Sequence, residues 1–421
     1  MSIADPRAFL SELFAVAVRA ADPVQILKGH LPDRPKGRTI VVGAGKGAAQ
    51  LAAAFEDLWD GPLEGLIVTR YGYACQTRQL EVLEAAHPVP DAAGLIAAER
   101  LLQTVSSLTS DDLVVALVCG GGSALLPAPP EGLCLADDIA VNEALLASGA
   151  PIGDMNAVRK HLSLIKGGRL AAAAAPARVV SLVVSDIPGD DPALVASGPT
   201  VPSTATRAEA LGIVQRFGMD LPPAVQAHLA DAKADAPHPG DPVFARHETR
   251  VIASAGISLE AAAAAAERAG VTAIILSDAI EGEARDIGRM HAAIARETHL
   301  RARPFVPPVV LLSGGETTVT VRAKGKGGRN SELALSLAQG LQGLAGVHAL
   351  AADTDGIDGS EDNAGAFADP TTWPRLVDLG HDPATLLAGN NAWTAFDALG
   401  DLFVTGPTGT NVNDFRAILI T

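Results

Sequence analysis

Cysteine is scarce in this chain, with only Cys75, Cys119 and Cys134 among 421 residues. Their spacings fit no zinc or redox motif and their number is odd, so reduced, buried thiols and a reducing cytoplasm are expected. No apolar run approaches the length of a membrane span, which excludes a transmembrane helix. The first twenty residues lack a charged segment ahead of a continuous apolar core, and they read as an amphipathic helix in place of a signal peptide. Basic charge is also in short supply: 32 Lys and Arg face 48 Asp and Glu, for a net charge of −16. That balance argues against a nucleic-acid partner or an anionic membrane surface, both of which need clustered cations. Lysine is the rarer cation, at eight positions, and five of these (46, 160, 166, 324 and 326) fall in Gly-rich or strongly basic loops. A compact ammonium retained where arginine is the default suggests point-charge contacts with phosphate.

What the chain does have is an ordinary globular composition, 48% hydrophobic and 19% charged. At this length two domains are expected. Apolar runs at 39–42, 65–69, 113–119 and 178–185 alternate with Ala-rich helical patterns near 46–58 and 92–105. Strands apolar on both faces and separated by helices predict an α/β fold, with a doubly wound Rossmann-like sheet in the first half. The segment 221–250, rich in Pro, Ala and Asp, reads as the passage between domains, which places the domains at 1–235 and 236–421. The second half resumes with strands near 251–255, 271–278 and 309–313 and helices near 258–269, 283–300 and 331–341. The alternating TVTV run after Glu316 predicts an antiparallel strand there.

The chemistry is concentrated in loops at strand ends. In LLSGGETTVTVRAKGKGGRNSE (311–332), Gly314 and Gly315 allow close backbone approach, while Glu316, Lys324, Lys326, Arg329 and Asn330 bring charge and amides to a helix start suited to anionic oxygens. In VVGAGKGAA (41–49), Gly43 and Gly45 with Ala48 satisfy a loose dinucleotide fingerprint. Lys46 is unusual in such a loop, however, and the next strand ends in Arg70 without the acid that would hold a ribose diol. It is not a Walker loop, because the spacing is short and Gly47 replaces the magnesium-binding hydroxyl. In CGGGSALL (119–126), Gly121, Gly122 and Ser123 offer a nest of donors. In MNAVRKHLSLIKGGRLA (155–171), Asn156, Lys160 and Ser163 share a face by spacing, and His161 reads as structural. SDIPGDD (185–191) supplies Asp186 and Asp190 for magnesium or for a hydroxyl proton. DTDGIDG (353–359) supplies Asp353 and Asp355 but lacks the EF-hand positions. TGPTGTNVND (405–414) offers hydroxyl and amide contacts.

Taken with HPVPD (87–91), these motifs occur in an order that resembles the class II glycerate 2-kinases, whose carboxyl-terminal part is the MOFRL domain and whose members often carry a hydroxypyruvate reductase label. The resemblance spans about 41–414. It implies a larger Rossmann-like domain and a smaller α/β domain with a mixed sheet, the active site in the cleft between them. It also implies Mg²⁺-dependent phosphorylation of D-glycerate by ATP at O2. Lys46 and Arg329 match the family's proposed active-site cations. Phosphoryl transfer needs positioning and charge neutralisation, so the Gly loops with Asn156 and Lys160 would hold phosphates. Asp190, then Asp186, would stand near the attacking hydroxyl, and Asp186, Asp353 and Asp355 are the candidate metal ligands. A homodimer is among the expected assemblies. The alternatives are an NAD(P)H-dependent hydroxypyruvate reductase, resting on the 43–48 fingerprint and Arg70, and a non-catalytic sugar-acid-binding protein.

Overall fold

The apolar run at 39–44 is buried along its whole length and forms β1 (Thr39–Ala44) at the centre of a sheet. In the computed structural model, which describes residues 3–421, that sheet also holds β2 (Glu64–Arg70), β3 (Glu81–Ala85), β4 (Leu113–Cys119), β5 (Arg178–Val184) and β6 (His247–Ala253). Their order is β3-β2-β1-β4-β5-β6, and the pairs β3–β2, β2–β1, β1–β4 and β4–β5 are parallel. Helices Ala48–Leu58 and Ala92–Thr104 follow their strands as crossovers. The strand order reverses between β1 and β4, the switch point at whose carboxyl ends sheets of this kind bind ligands. A second apolar cluster, with Val141, Leu145, Val158, Ile213 and Val225, packs helices Leu135–Ala147, Ile152–His161, Arg207–Arg216 and Pro223–Ala230 together.

The chain divides into two units, Pro23–Ile252 and the combination of Met1–Asp22 with Ala253–Thr421. This differs from the boundary expected at 235/236 for two physical reasons. Residues 236–252 do not leave the first unit: β6 completes its sheet edge. At the other end, Leu10, Leu13, Phe14 and Ala17 of helix Pro6–Ala20 bury against Leu259, Ala262 and Phe415 of the second unit.

The second unit is built on a mixed sheet of β7 (Thr272–Ser277), β9 (Val309–Ser313), β11 (Val347–Asp353), β12 (Gly365–Ala368), β13 (Leu402–Phe403) and β14 (Asp414–Ile420). The order is β13-β12-β11-β14-β9-β7, antiparallel except for the parallel β7–β9 pair. Helices Ala284–Arg301 and Arg329–Leu341 pack their Ala and Leu faces on one side. The TVTV run does not form the expected antiparallel strand. Only β10 (Thr317–Thr318) is extended, and it pairs in parallel with β8 (Gly282–Glu283). Beyond it, Thr320 turns its amide and hydroxyl to the Glu283 carboxylate, which ends the ladder.

Candidate active site

At the carboxyl ends of β1 and β4 the glycine loops meet. The Lys46 amide donates to the Gly120 carbonyl at 2.9 Å, the Gly45 amide to Val68 at 3.1 Å, and the Thr69 hydroxyl to the Lys46 carbonyl at 3.3 Å. Lys46 is thus fixed by the ends of both neighbouring strands. A Cβ on Gly121 would stand 3.1 Å from Lys46 Cγ and 3.2 Å from His87 Nε2, and one on Gly120 would overlap the Asp186 carboxylate. Lys46, His87, Gly120–Gly122 and Asp186 therefore share one small volume, assembled from four strand ends. Gly43 lies inside β1 instead, pressed against Leu117 of β4, so its role is strand packing.

The third loop joins the same group. Ser123 Oγ is 2.8 Å from Ser197 Oγ, which donates to Asn156 Oδ1 at 2.9 Å, while Asn156 Nδ2 donates to the Leu194 carbonyl at 3.2 Å. Ala196, Ser197 and Gly198 hold φ of 52°, 62° and 60°. Two successive non-Gly residues in that region cost roughly 1–2 kcal/mol each, and such backbone persists where the surroundings over-determine it. Asn156 is buried and turned inward, so it braces Ser197. Lys160, one helical turn on, is 3% exposed. Burial pulls its pKa down, with Asp191 opposing. Ser163 falls past the helix end and caps the amides of Ile165 and Lys166. His161 is buried between the carbonyls of Ala234 and Ala205, at 2.9 and 3.1 Å, a structural position. Asp190 is part-buried with φ 54°, on the loop after β5.

His87 was named only as part of a motif, and its place beside Lys46 comes from the tertiary structure. Burial, then the charges of Lys46 and Arg70, lower its pKa to about 4. Its imidazole is neutral near pH 7.

In the second unit, Arg329 opens helix Arg329–Leu341 and is held by three carboxylates. Its Nε donates to Asp414 at 2.7 Å, Nη1 to Glu316 at 2.8 Å and Nη2 to Asp353 at 2.8 Å. Burial opposes its charge, but Asp414, Asp353 and Glu316 outweigh it and raise its pKa above the ordinary arginine value. Asp414 also accepts from Asn330 Nδ2 at 2.8 Å and from Arg416 Nη2 at 2.5 Å. The sequence offered Asp414 only as the last letter of a polar loop. Sequence reasoning also missed Asp358, which fills the helix start that was expected to take a ligand anion. Its carboxylate accepts the Asn330 and Ser331 amides at 2.8 and 2.7 Å, together with the Ser331 hydroxyl. Asn330 is fully buried, its backbone amide given to Asp358 and its Nδ2 to Asp414, while its Oδ1 has no hydrogen-bond partner among the described residues. Gly314 and Gly315 likewise serve packing. The Gly314 carbonyl accepts from Arg416 at 2.9 Å, the Gly315 carbonyl accepts the Asp414 amide at 3.1 Å, and Gly315 lies against Ile280. Lys326 sits 3.5 Å from Glu361 and 4.8 Å over Trp393, and Lys324 is exposed.

Among the described residues no group of three or more His, Cys, Asp or Glu is arranged to hold a metal. Asp353 has both oxygens in use, Oδ1 by the Asp355 amide at 3.0 Å and Oδ2 by Arg329. Asp355 in turn accepts the Ile357 amide on Oδ1 at 2.8 Å. Asp186 belongs to the other unit from Asp353 and Asp355. All three thiols are free, and burial departs from expectation at two of them: Cys119 is buried, but Cys75 is part-buried and Cys134 exposed.

Residues 9–230 match the family described as a domain of unknown function, DUF4147, and residues 309–414 match the MOFRL family. The chain is 39% identical to the D-glycerate 2-kinase of Thermotoga maritima over 97% of each protein. It is 52% identical to an Agrobacterium vitis protein that carries a hydroxypyruvate reductase label, over 98% of this chain and 94% of that one. The crystal structure of glycerate kinase from Thermotoga maritima superposes with a TM-score of 0.90 at 37% identity, covering 99% of both chains. On this near full-length likeness in sequence and fold, the chain belongs to the glycerate kinase family with paired DUF4147 and MOFRL regions.

Proposed function

We propose that this chain transfers the terminal phosphoryl group of ATP to the 2-hydroxyl of D-glycerate, giving 2-phosphoglycerate and ADP. The observation that carries the reading is the Lys46 loop. A lysine is locked between two glycine loops at the switch point of a parallel sheet, where phosphate-bearing ligands of such sheets bind. The likeness to a D-glycerate 2-kinase over 97% of both chains supports the same conclusion.

In this mechanism the protein positions its substrates and neutralises the charge that spreads over the transferring group. Lys46 supplies a point charge to phosphoryl oxygens, the amides of Gly121 and Gly122 and the Ser123 hydroxyl hold further oxygens, and Lys160 adds a buried cation. Asp190, with Asp186 beside it in sequence, stands for the carboxylate that takes the hydroxyl proton. Arg329 organises the acidic group of the second unit and offers charge to an anionic substrate. Mg²⁺ fits this donor set only as a nucleotide-borne ion, held by one carboxylate (Asp186 or Asp355 is the candidate) and otherwise by phosphates and water. It would supply charge neutralisation on the phosphates. The proposal includes a cytoplasmic setting and admits a homodimer.

The reductase label finds less support. A dinucleotide loop of this kind uses an acid after β2 for the ribose of NAD, or a free arginine for the 2′-phosphate of NADP. That position is Arg70, whose guanidinium stacks 3.6 Å over the Tyr73 ring. Phosphorus NMR of a mixture with ATP, Mg²⁺ and D-glycerate tests the proposal. The expected result is ADP with a phosphate ester on O2. An ester on O3, or no ester and oxidation of reduced nicotinamide by hydroxypyruvate, would overturn it.

A further inference from the structure

The three partners of Arg329 are not equivalent. Asp414 and Asp353 have side chains 0% and 7% exposed, whereas Glu316 is 51% exposed. The two buried carboxylates hold Nε and Nη2 and fix the guanidinium plane, so Nη1 alone points to a partner that water reaches. Glu316 sits on a fixed backbone: Gly315 before it is wedged against Ile280 at φ 106°, and Thr317 after it points its amide to Asp414 at 3.4 Å. Its side chain can leave Nη1 without any main-chain change.

Charge balance makes that departure necessary for an anionic ligand. Around the guanidinium stand three carboxylates (Glu316, Asp353 and Asp414) against two cations, Arg329 and Arg416. A substrate carboxylate or phosphoryl group cannot join this group favourably while all three remain.

We propose that Glu316 is an internal stand-in for substrate: its carboxylate covers the outer edge of Arg329 until an anionic substrate oxygen displaces it. This gives Glu316 a role different from direct phosphate binding, for which a carboxylate has the wrong charge. The inference rests on the reading of Arg329 as an active-site cation. Displacement costs only an exposed ion pair, because Asp353 and Asp414 keep the arginine in place. The stand-in also discriminates, since neutral hydroxy compounds have no charge with which to replace it.

Steady-state kinetics of Glu316→Gln, with D-glycerate and ATP varied in turn, test the proposal. KM for the displacing substrate falls about 2- to 5-fold, the factor for one exposed ion pair. A fall for D-glycerate identifies its carboxylate as the displacing group, and a fall for ATP identifies a phosphoryl group. Unchanged KM for both overturns the proposal, as does a rise in either, which would make Glu316 a binding group. Arg329→Ala, assayed in parallel, separates the two readings. Wild-type turnover in that variant means the active-site reading of Arg329 has failed. Loss of turnover there, with KM unchanged in Glu316→Gln, means that only the stand-in role has failed.

Discussion

Arg329 and Asp414 are 85 positions apart in the chain and 2.7 Å apart in space. Asp414 begins β14 beside the end of β11, and Arg329 begins the helix packed over that sheet. The contact therefore exists only once the mixed sheet has formed. Asp414 also answers Arg416, a fully buried guanidinium with the Gly314 carbonyl as its other partner. Removing the carboxylate leaves Arg416 buried and without an acid, so Asp414→Ala should lose about 3–5 kcal/mol of stability, as broken buried pairs do. Urea denaturation checks this, and a midpoint equal to wild type would show the pair to be dispensable.

Lys46 acts through a compact charge at a fixed place. Lys46→Ala should lower kcat at least ~10²-fold, the scale of losing one preorganised charge contact to the transition state. Lys46→Arg should remain well below wild type, because a larger planar fork does not fit the volume shared with Gly121 and His87. Turnover near wild type in either variant removes Lys46 from the mechanism.

Asp358 holds the first turn of the Arg329 helix through Asn330 and Ser331. Asp358→Ala should cost roughly 0.5–2 kcal/mol as a lost cap, and it should also reduce turnover, because Arg329 is the first residue of that helix. Thermal unfolding and kcat measured on one preparation distinguish the two effects. Destabilisation with full activity would mean that the cap does not position Arg329.

Acid should weaken the fold before most carboxylates titrate. Burial lowers the pKa of both His87 and His291 from 6.5 to about 4. Lys46 and Arg70 add to the effect at His87. At His291 the Ile287 carbonyl, 2.9 Å away, opposes it and Arg416 adds to it. Between those values the unfolded chain binds protons that the folded chain does not, so stability falls as pH drops from about 6.5 toward 4. The His291→Gln variant should show a flatter dependence across that window in denaturation midpoints. An unchanged slope would assign the acid sensitivity to other groups.

Much of the first unit was legible in the chain because its signals are local. An apolar run such as 113–119 must be a covered strand, and Gly-Lys-Gly after a strand marks a loop between strand and helix whatever lies elsewhere. The two-residue β10 was misread because Glu283, distant in sequence, captures Thr320. The domain boundary was misread because a sheet edge and a packed N-terminal helix leave no compositional trace.

The sequence by itself determined the α/β class, the ordered glycine and aspartate loops, and the family, all of which depend on short spacings and on which residue types can do a given chemistry. Only the tertiary structure decided how those residues are spent. It set His87 beside Lys46, gave the helix start at Arg329 to Asp358, turned Asn156 and Asn330 inward, and surrounded Arg329 with Glu316, Asp353 and Asp414. The reason is that charge and burial act over a few ångströms in space, and strands that meet at a sheet bring together carboxylates that the chain keeps far apart.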